Sequence, residues 1–177
     1  VIFTKADRFI PGISLGPSVV TAYALCVQMA QPSYGVVAPG LHFLFPYLSG
    51  RQALAHPGAA FRKTILTALI INLLLVVVGT ALVLLFGRLL LHAWVGEPIA
   101  RSASKVLVPI VWSFALLGIN VTGYYTMLAL GHVRTVTWLN LAGGTAMLLM
   151  ITWALPRTGV HGVAMARLAY GLITLLM

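Results

Sequence analysis

The chain has very few carboxylates: among its 177 residues only Asp7 and Glu97 carry one. Enzymes that rely on acid–base or metal chemistry usually need several. The single cysteine, Cys26, excludes an internal disulfide framework, and the five histidines show no metal-ligand spacing. There is also no glycine-rich phosphate loop ending in Lys-Ser or Lys-Thr. We therefore do not expect an enzyme, and we expect no catalytic residue, metal or cofactor.

Charge of either sign is also scarce, at 7% of residues, whereas 60% are hydrophobic. Soluble domains carry about 25% charged residues. Residues 64–86, 106–130 and 135–155 hold no charge at all, and about 20 apolar residues suffice to cross a bilayer. This composition predicts an all-α polytopic membrane protein, placed as a multi-pass protein in the cell's inner (plasma) membrane.

Apolar length and helix breakers divide the chain into about six transmembrane helices within one domain, residues 1–177. The predicted spans are about 1–15, 19–47, 64–92, 106–130, 135–155 and 161–177. Residues 49–63 and 94–105 are predicted loops, and 131–134 and 156–162 are predicted turns. Pro32 and Pro39 should bend the second span, because proline removes a backbone donor; such bends occur in purely structural helices and in helices that border a cavity.

Basic residues outnumber acidic ones by 11 to 2, and they are scattered along loops and helix ends. This pattern favours membrane lipid or a lipid-linked phosphate as the anionic partner and gives no sign of nucleic-acid binding. Counting Lys and Arg in the loops places residues 49–63 on the cytoplasmic side by a margin of four to three. The four are Arg51, Arg62, Lys63 and Arg134; the three are Arg101, Lys105 and Arg157.

Several charged residues fall inside predicted spans, where each costs about 2.5–3.5 kcal/mol at a helix centre. Lys5 and Arg8 share a helix face, with Asp7 close enough to offset one of them. Arg88 and Arg167 lie in the third and sixth spans. Such residues either line a watery cavity or reach a headgroup layer at the membrane surface. We expect Lys5, Asp7, Arg8 and Arg167 to line a cavity.

Neutral polar residues form a second candidate set. Gln28 and Gln31 lie three positions apart in the second span, with Tyr23 displaced around the same helix. In lipid such side chains either join helices or face a cavity that holds a polar ligand. The three span asparagines have the same two alternatives: they are Asn72, Asn120 and Asn140. Residues 142–146 and 159–166 are small and predict close helix packing.

The order of these motifs resembles the polysaccharide exporters and O-antigen flippases of the multidrug/oligosaccharidyl-lipid/polysaccharide superfamily. The resemblance rests on "DRFIPGISLGPSVVTAYALCVQMAQ" followed by "FLFPYLSG", and on echoes at Trp94-x-Gly96, "ALGH" and "GVHGVAMA". The matching positions are Asp7-Arg8, Leu15-Gly16-Pro17, Tyr23 and Phe45-Pro46-Tyr47-Leu48-Ser49. The chain departs from the family pattern at Pro11, where an apolar residue usually continues the helix.

This resemblance implies one lobe of a two-lobed, MATE-like transporter, with the chain as the C-terminal lobe of a longer protein. The missing N-terminal lobe would then supply the other half of a central cavity that opens alternately to each side. The implied substrate is an undecaprenyl-pyrophosphate-linked oligosaccharide for cell-surface polysaccharide. Lys5 and Arg8 would attract the pyrophosphate, and Asp7 would offset part of their charge and take part in gating or proton coupling. Tyr23, Gln28 and Gln31 would contact sugar hydroxyls.

Two alternatives stay open at this point. A cation-coupled multidrug exporter of the same superfamily would favour acidic cavity residues, which this chain lacks. A membrane-embedded accessory or scaffold subunit would instead pair its charges with the helices of a partner. A membrane-embedded glycosyltransferase is disfavoured by the shortage of carboxylates.

Overall fold

The computed structural model describes residues 17–52 and 59–176, and within these residues the secondary structure is helical with no strand. The first predicted span, 1–15, lies outside the described residues. The helices are α1 (Pro17–Ala30), α2 (Pro32–Gly35), α3 (Val37–Leu41), α4 (Leu44–Gln52), α5 (Ala59–Val95), α6 (Glu97–Ala129), α7 (Val133–Thr158) and α8 (Val160–Thr174).

Three of the described helices are long and apolar enough to cross a membrane. The qualifying stretches are Phe61–Val95, Glu97–Ala129 and Val133–Thr158. Helix α5 carries large apolar side chains on most of its surface, and Leu85 and Leu89 are 73% and 66% exposed. A helix that is hydrophobic all round is typical of a membrane span. The structure thus supports the helical membrane class, whereas the count of six spans stays a prediction.

The prediction of a loop over residues 94–105 was wrong. Helix α5 continues to Val95, and Gly96 alone separates it from α6, which starts at Glu97. Gly96 adopts φ 78° and ψ 166°, a conformation that side chains other than hydrogen rarely allow. Pro98 and Glu97 then occupy the first turn of α6, where a missing N–H and a negative charge are both favourable. The polar residues of 94–105 therefore belong mainly to the start of helix α6 and do not form a loop.

Glycines also separate the remaining long helices. Gly131, at φ 78°, lies in the turn predicted for residues 131–134, which is shorter than predicted because α7 already starts at Val133. The turn predicted for 156–162 is shorter than expected, because α7 continues through Pro156 to Thr158 and α8 starts at Val160. Gly159, at φ 59°, forms the connection, and its N–H donates to the Leu155 carbonyl at 3.0 Å. Pro156 lies inside the last turn of α7, where it cannot donate the helical hydrogen bond to the Thr152 carbonyl.

Helix α6 lies at the centre of the bundle and packs against α1, α5, α8 and the short helices α2 to α4. Two apolar clusters line its length. The cluster toward its start joins α1, α6, α7 and α8, around fully buried residues such as Ile110 and Ile151. The cluster toward its end joins α3, α4, α5 and α6 around Leu44 and Val76. The short helices therefore pack beside the second half of α6.

Candidate functional site

The second predicted span is interrupted between α1 and α4. Residues 31–43, here called the interrupted segment, contain the short helices α2 and α3 and four turn residues, Gln31, Val36, His42 and Phe43. The backbone at Gln31, Val36 and His42 keeps right-handed helical dihedral angles, so the interruption lies in the hydrogen bonding. Pro32 and Pro39 lack the N–H groups that would close the helical bonds to residues four positions earlier. The two prolines thus interrupt the helical hydrogen bonding, and the bend predicted for the second span stays a prediction. Broken helices at membrane depth are tolerated where protein or a cavity surrounds them.

Two glycines on neighbouring helices let the interrupted segment come close. A Cβ atom on Gly79 of α5 would lie 3.4 Å from the Cα of Ser33. A Cβ atom on Gly118 of α6 would lie 3.4 Å from the Ser33 carbonyl oxygen and 2.8 Å from Val76 Cγ2. Ser33 is consequently buried between α5 and α6. This packing holds the start of the interrupted segment against the bundle.

Four tyrosines converge beside the interrupted segment and are here called the tyrosine cluster: Tyr34, Tyr124, Tyr125 and Tyr170. The Tyr34 side chain lies within electrostatic range of the other three. The rings of Tyr124 and Tyr125 meet edge to face, with centroids 5.4 Å apart, and His42 meets the Tyr125 ring in the same manner at 5.7 Å.

The tyrosine cluster is only partly buried. Tyr34 is 36% exposed, and the other three tyrosines are half-buried. The Tyr170 hydroxyl donates to Asn140 Oδ1 of α7 at 3.3 Å. Tyrosine combines an apolar ring with a polar hydroxyl. The cluster therefore offers both ring faces and hydroxyl groups to a ligand.

Arg167 of α8 lies one helical turn before Tyr170, and its side chain is buried, with 4% of the residue exposed. Its guanidinium carbon lies 4.2 Å from the centroid of the Phe114 ring on α6. This is the geometry of a cation–π contact. Phe114 lies near the middle of the 33-residue helix α6. The structure thus places a positive charge at the middle of the bundle, close to the tyrosine cluster.

Asn72 of α5 joins the two longest helices. Its Nδ2 atom donates toward three oxygens of α6: the carbonyls of Gly118 and Ile119 at 3.0 and 3.1 Å, and Thr122 Oγ1 at 3.0 Å. Asn72 is fully buried. The sequence left two roles open for the span asparagines: joining helices or facing a cavity that holds a polar ligand. Asn72 joins helices, and so does Asn140, which accepts a hydrogen bond from the Tyr170 hydroxyl of α8.

A cavity of about 510 Å³ separates the second half of the interrupted segment from the first half of α5. Its walls are mainly apolar, with Lys63, Thr64 and Thr67 at one end. The apolar walls include Val37, Leu41, Phe43, Leu44, Ile71 and Leu75. None of the four tyrosines lines it, so the cavity and the tyrosine cluster are separate features.

The predicted site residues fall into different environments. Tyr23 is fully buried in the core cluster near the start of α6, whereas Gln28 and Gln31 are exposed. Tyr23 and Gln28 are five residues apart, or about 140° around a helix, so they face different sides. The structure does not bring Tyr23 together with the two glutamines. Lys5, Asp7 and Arg8 lie outside the described residues, and the binding roles of all these residues stay predictions.

No periodic pattern in the sequence predicts the tyrosine cluster. Its members come from three distant parts of the chain, and only Tyr124 and Tyr125 are neighbours. That pair inside an uncharged run was the one available signal, because tyrosines in membrane proteins are enriched at the interfaces. The sequence left open whether Arg88 lines a cavity or reaches a headgroup layer, and the structure shows its side chain exposed on α5. Within residues 17–52 and 59–176, no three His, Cys, Asp or Glu side chains come together as a metal site.

Comparison with known proteins gives no relative: no family model, curated protein or solved structure matches the chain.

Proposed function

We propose that the chain forms one lobe of a two-lobed, MATE-like transporter, multi-pass in the inner (plasma) membrane, that moves a lipid-linked oligosaccharide across it. The substrate is an undecaprenyl-pyrophosphate-linked sugar for cell-surface polysaccharide, and transport proceeds by alternating access. One observation carries the proposal: a buried cation, Arg167, lies next to a half-exposed cluster of tyrosines. Ionisable groups inside membrane bundles usually mark a substrate path.

The chemistry of the tyrosine cluster supports a sugar ligand. A sugar ring has apolar C–H faces and hydroxyl groups, and tyrosine offers partners for both. The positive charge of Arg167 favours the nearby pyrophosphate by Coulomb attraction. Gln28 of α1 and Gln31 of the interrupted segment are both exposed and provide further amide groups for hydroxyls. The apolar tail needs no protein pocket, because it can stay in the surrounding lipid.

Charge distinguishes this proposal from the alternative of a cation-coupled multidrug exporter. Cationic drugs would be repelled by Arg167, and Glu97 is the only described carboxylate. Glu97 is already engaged by His92 at 2.7 Å and by Arg101 at 3.4 Å. The other alternative, an accessory or scaffold subunit, is distinguished by whether the protein transports substrate without any partner protein. A transporter moves labelled lipid-linked oligosaccharide when it is the only protein in the vesicle, whereas a scaffold does not.

Replacing Tyr34 by alanine should slow transport roughly tenfold, because one aromatic contact contributes about 0.5–1.5 kcal/mol beyond its buried area. The assay reconstitutes the full-length protein in proteoliposomes and follows a fluorescent lipid-linked oligosaccharide as it becomes accessible to an impermeant glycosidase. Tyr47→Ala is the matched control, since Tyr47 is 41% exposed, close to the 36% of Tyr34, but lies on α4 outside the cluster. Equal rates for both variants would contradict a sugar-binding role for the cluster.

The same assay tests the charged residues predicted from the sequence, Lys5 and Arg8. Changing both to glutamine should abolish most transport, because the pyrophosphate would lose two cations inside the membrane. The control changes Lys105 and Arg157 to glutamine, which removes the same charge from two exposed positions. Full transport by the Lys5/Arg8 double variant would remove these residues from the proposed site.

A further inference from the structure

The cavity between the interrupted segment and α5 has the dimensions and the charge of a site for a single lipid. Its lining on α5 runs from Lys63 to Leu75, which is about 18 Å along the helix axis at 1.5 Å per residue. One leaflet of a bilayer has a hydrocarbon depth of about 15 Å, half of a core about 30 Å thick. The cavity is therefore about as long as one leaflet is deep.

The cavity is polar at one end and mainly apolar along the rest of its length, as a phospholipid is polar at its headgroup and apolar along its acyl chains. The deep walls are mostly apolar, with Leu41, Leu44 and Leu75 among them and the buried Asn72 as the polar exception, whereas Lys63, Thr64 and Thr67 stand at one end. The neighbouring surface of α5 is also apolar: Leu66, Ile70 and Leu74 are 45%, 58% and 60% exposed. An acyl chain can thus enter sideways from surrounding lipid, and a headgroup would meet the polar end.

The positive charge of that end favours an anionic headgroup. Lys63 and its neighbour Arg62 are both exposed. The only carboxylate among the described side chains is Glu97, which His92 and Arg101 engage beyond the opposite end of α5. His92 follows Lys63 by 29 positions, or about 43 Å along the helix. That distance exceeds the Debye length of about 8 Å at physiological salt, so Glu97 does not compensate Lys63.

We propose that this cavity binds one anionic glycerophospholipid, with its phosphate at Lys63 and one acyl chain along the apolar walls. The site is separate from the tyrosine cluster, and its occupant stays with the protein and is not the transported substrate. A zwitterionic phospholipid would fill the apolar walls equally well, but its own ammonium group offsets the phosphate charge that faces Lys63 and so weakens the Coulomb attraction. The lysine therefore selects for the anionic headgroup.

The experiment compares lipids retained by the purified full-length protein. The protein is reconstituted in vesicles of equal parts phosphatidylglycerol and phosphatidylcholine, extracted in mild detergent, and examined by native mass spectrometry. The wild-type protein should retain one phosphatidylglycerol in preference to phosphatidylcholine. Lys63→Gln should weaken that preference about fivefold, the effect of about 1 kcal/mol for one lysine near an anionic surface. Lys105→Gln, an equal charge change at the opposite end of the long helices, should leave it unchanged.

A second variant tests the cavity itself without touching the charge. Gly40 lines the cavity, and a Cβ atom there would meet nothing within 4 Å. Gly40→Leu should fold normally, place its side chain in the cavity and displace the retained lipid. The proposal is overturned if wild type retains both lipids equally, if the two lysine variants behave alike, or if Gly40→Leu keeps its lipid. Because no transport step is measured, these outcomes leave the proposed function untouched.

Discussion

Replacing Gly162 with leucine is expected to destabilise the protein by about 3 kcal/mol, the upper end of the range for overpacked sites. Gly162 is the third residue of α8, in the turn of helix that folds back against α7. A Cβ atom at this position would lie 2.7 Å from the Ala154 Cβ, 3.1 Å from the Ala154 carbonyl carbon, and in direct contact with Thr158 Oγ1. A flexible side chain could move aside, but the backbone of α7 cannot do so without opening the hairpin at Gly159.

The measurement is the free energy of unfolding in mixed detergent micelles, followed by tryptophan fluorescence as denaturing detergent is added. Gly50→Leu is the matched control, because it makes the same substitution at a helical glycine of α4 where nothing lies within 4 Å and which does not line the cavity. We expect that control to change the unfolding free energy by no more than about 0.5 kcal/mol, as for most sites without a special role. If both variants are equally stable, close α7–α8 packing at Gly162 is not required.

The second large effect is expected for Asn72→Asp, at about 3 kcal/mol or more at neutral pH. The new carboxylate would be fully buried and would face the carbonyl oxygens of Gly118 and Ile119, which now accept from the Asn72 amide. A buried charge without a partner costs about 3–5 kcal/mol. Protonation at low pH removes that charge, so part of the lost stability should return as the pH falls.

Asn140→Asp provides the matched control for this effect. Asn140 is only half-buried, and its Oδ1 already accepts a hydrogen bond from the Tyr170 hydroxyl. A carboxylate there keeps that bond, so the loss should be much smaller than at Asn72. Asn72→Leu separates the two causes, because it removes the hydrogen bonds without adding charge. In membrane proteins such bonds average about 0.6 kcal/mol each. If both aspartate variants lose similar unfolding free energy, the Asn72 contacts to α6 do not stabilise the protein more than the Asn140 contact does.

The interrupted segment connects the two proposed sites. Tyr34 of α2 belongs to the tyrosine cluster, and Val37 and Leu41 of α3 line the lipid cavity. Ser33 fixes the start of the segment between Gly79 and Gly118.

The membrane class and the helix interruptions were accessible from the sequence. Hydropathy and length are properties of contiguous residues, so the uncharged runs 64–86, 106–130 and 135–155 predicted the three long helices α5, α6 and α7. Pro32 and Pro39 act on their own backbone bonds, and their effect was equally local. The loop predicted over 94–105 was wrong because polar residues at a helix start resemble those of a loop, and only the conformation of Gly96 distinguishes them.

The sequence by itself thus determined which segments are helical and apolar, and where proline breaks them. Only the tertiary structure decided which side chains meet. Helix α5 is apolar on nearly all sides, so its pattern does not indicate which face another helix covers. Asn72 and Asn140 are the same residue type in similar runs, yet one is fully buried and the other is not. Tyr34, Tyr124 and Tyr170 come together because α2, α6 and α8 pack side by side, and such packing depends on contacts between residues far apart in the chain.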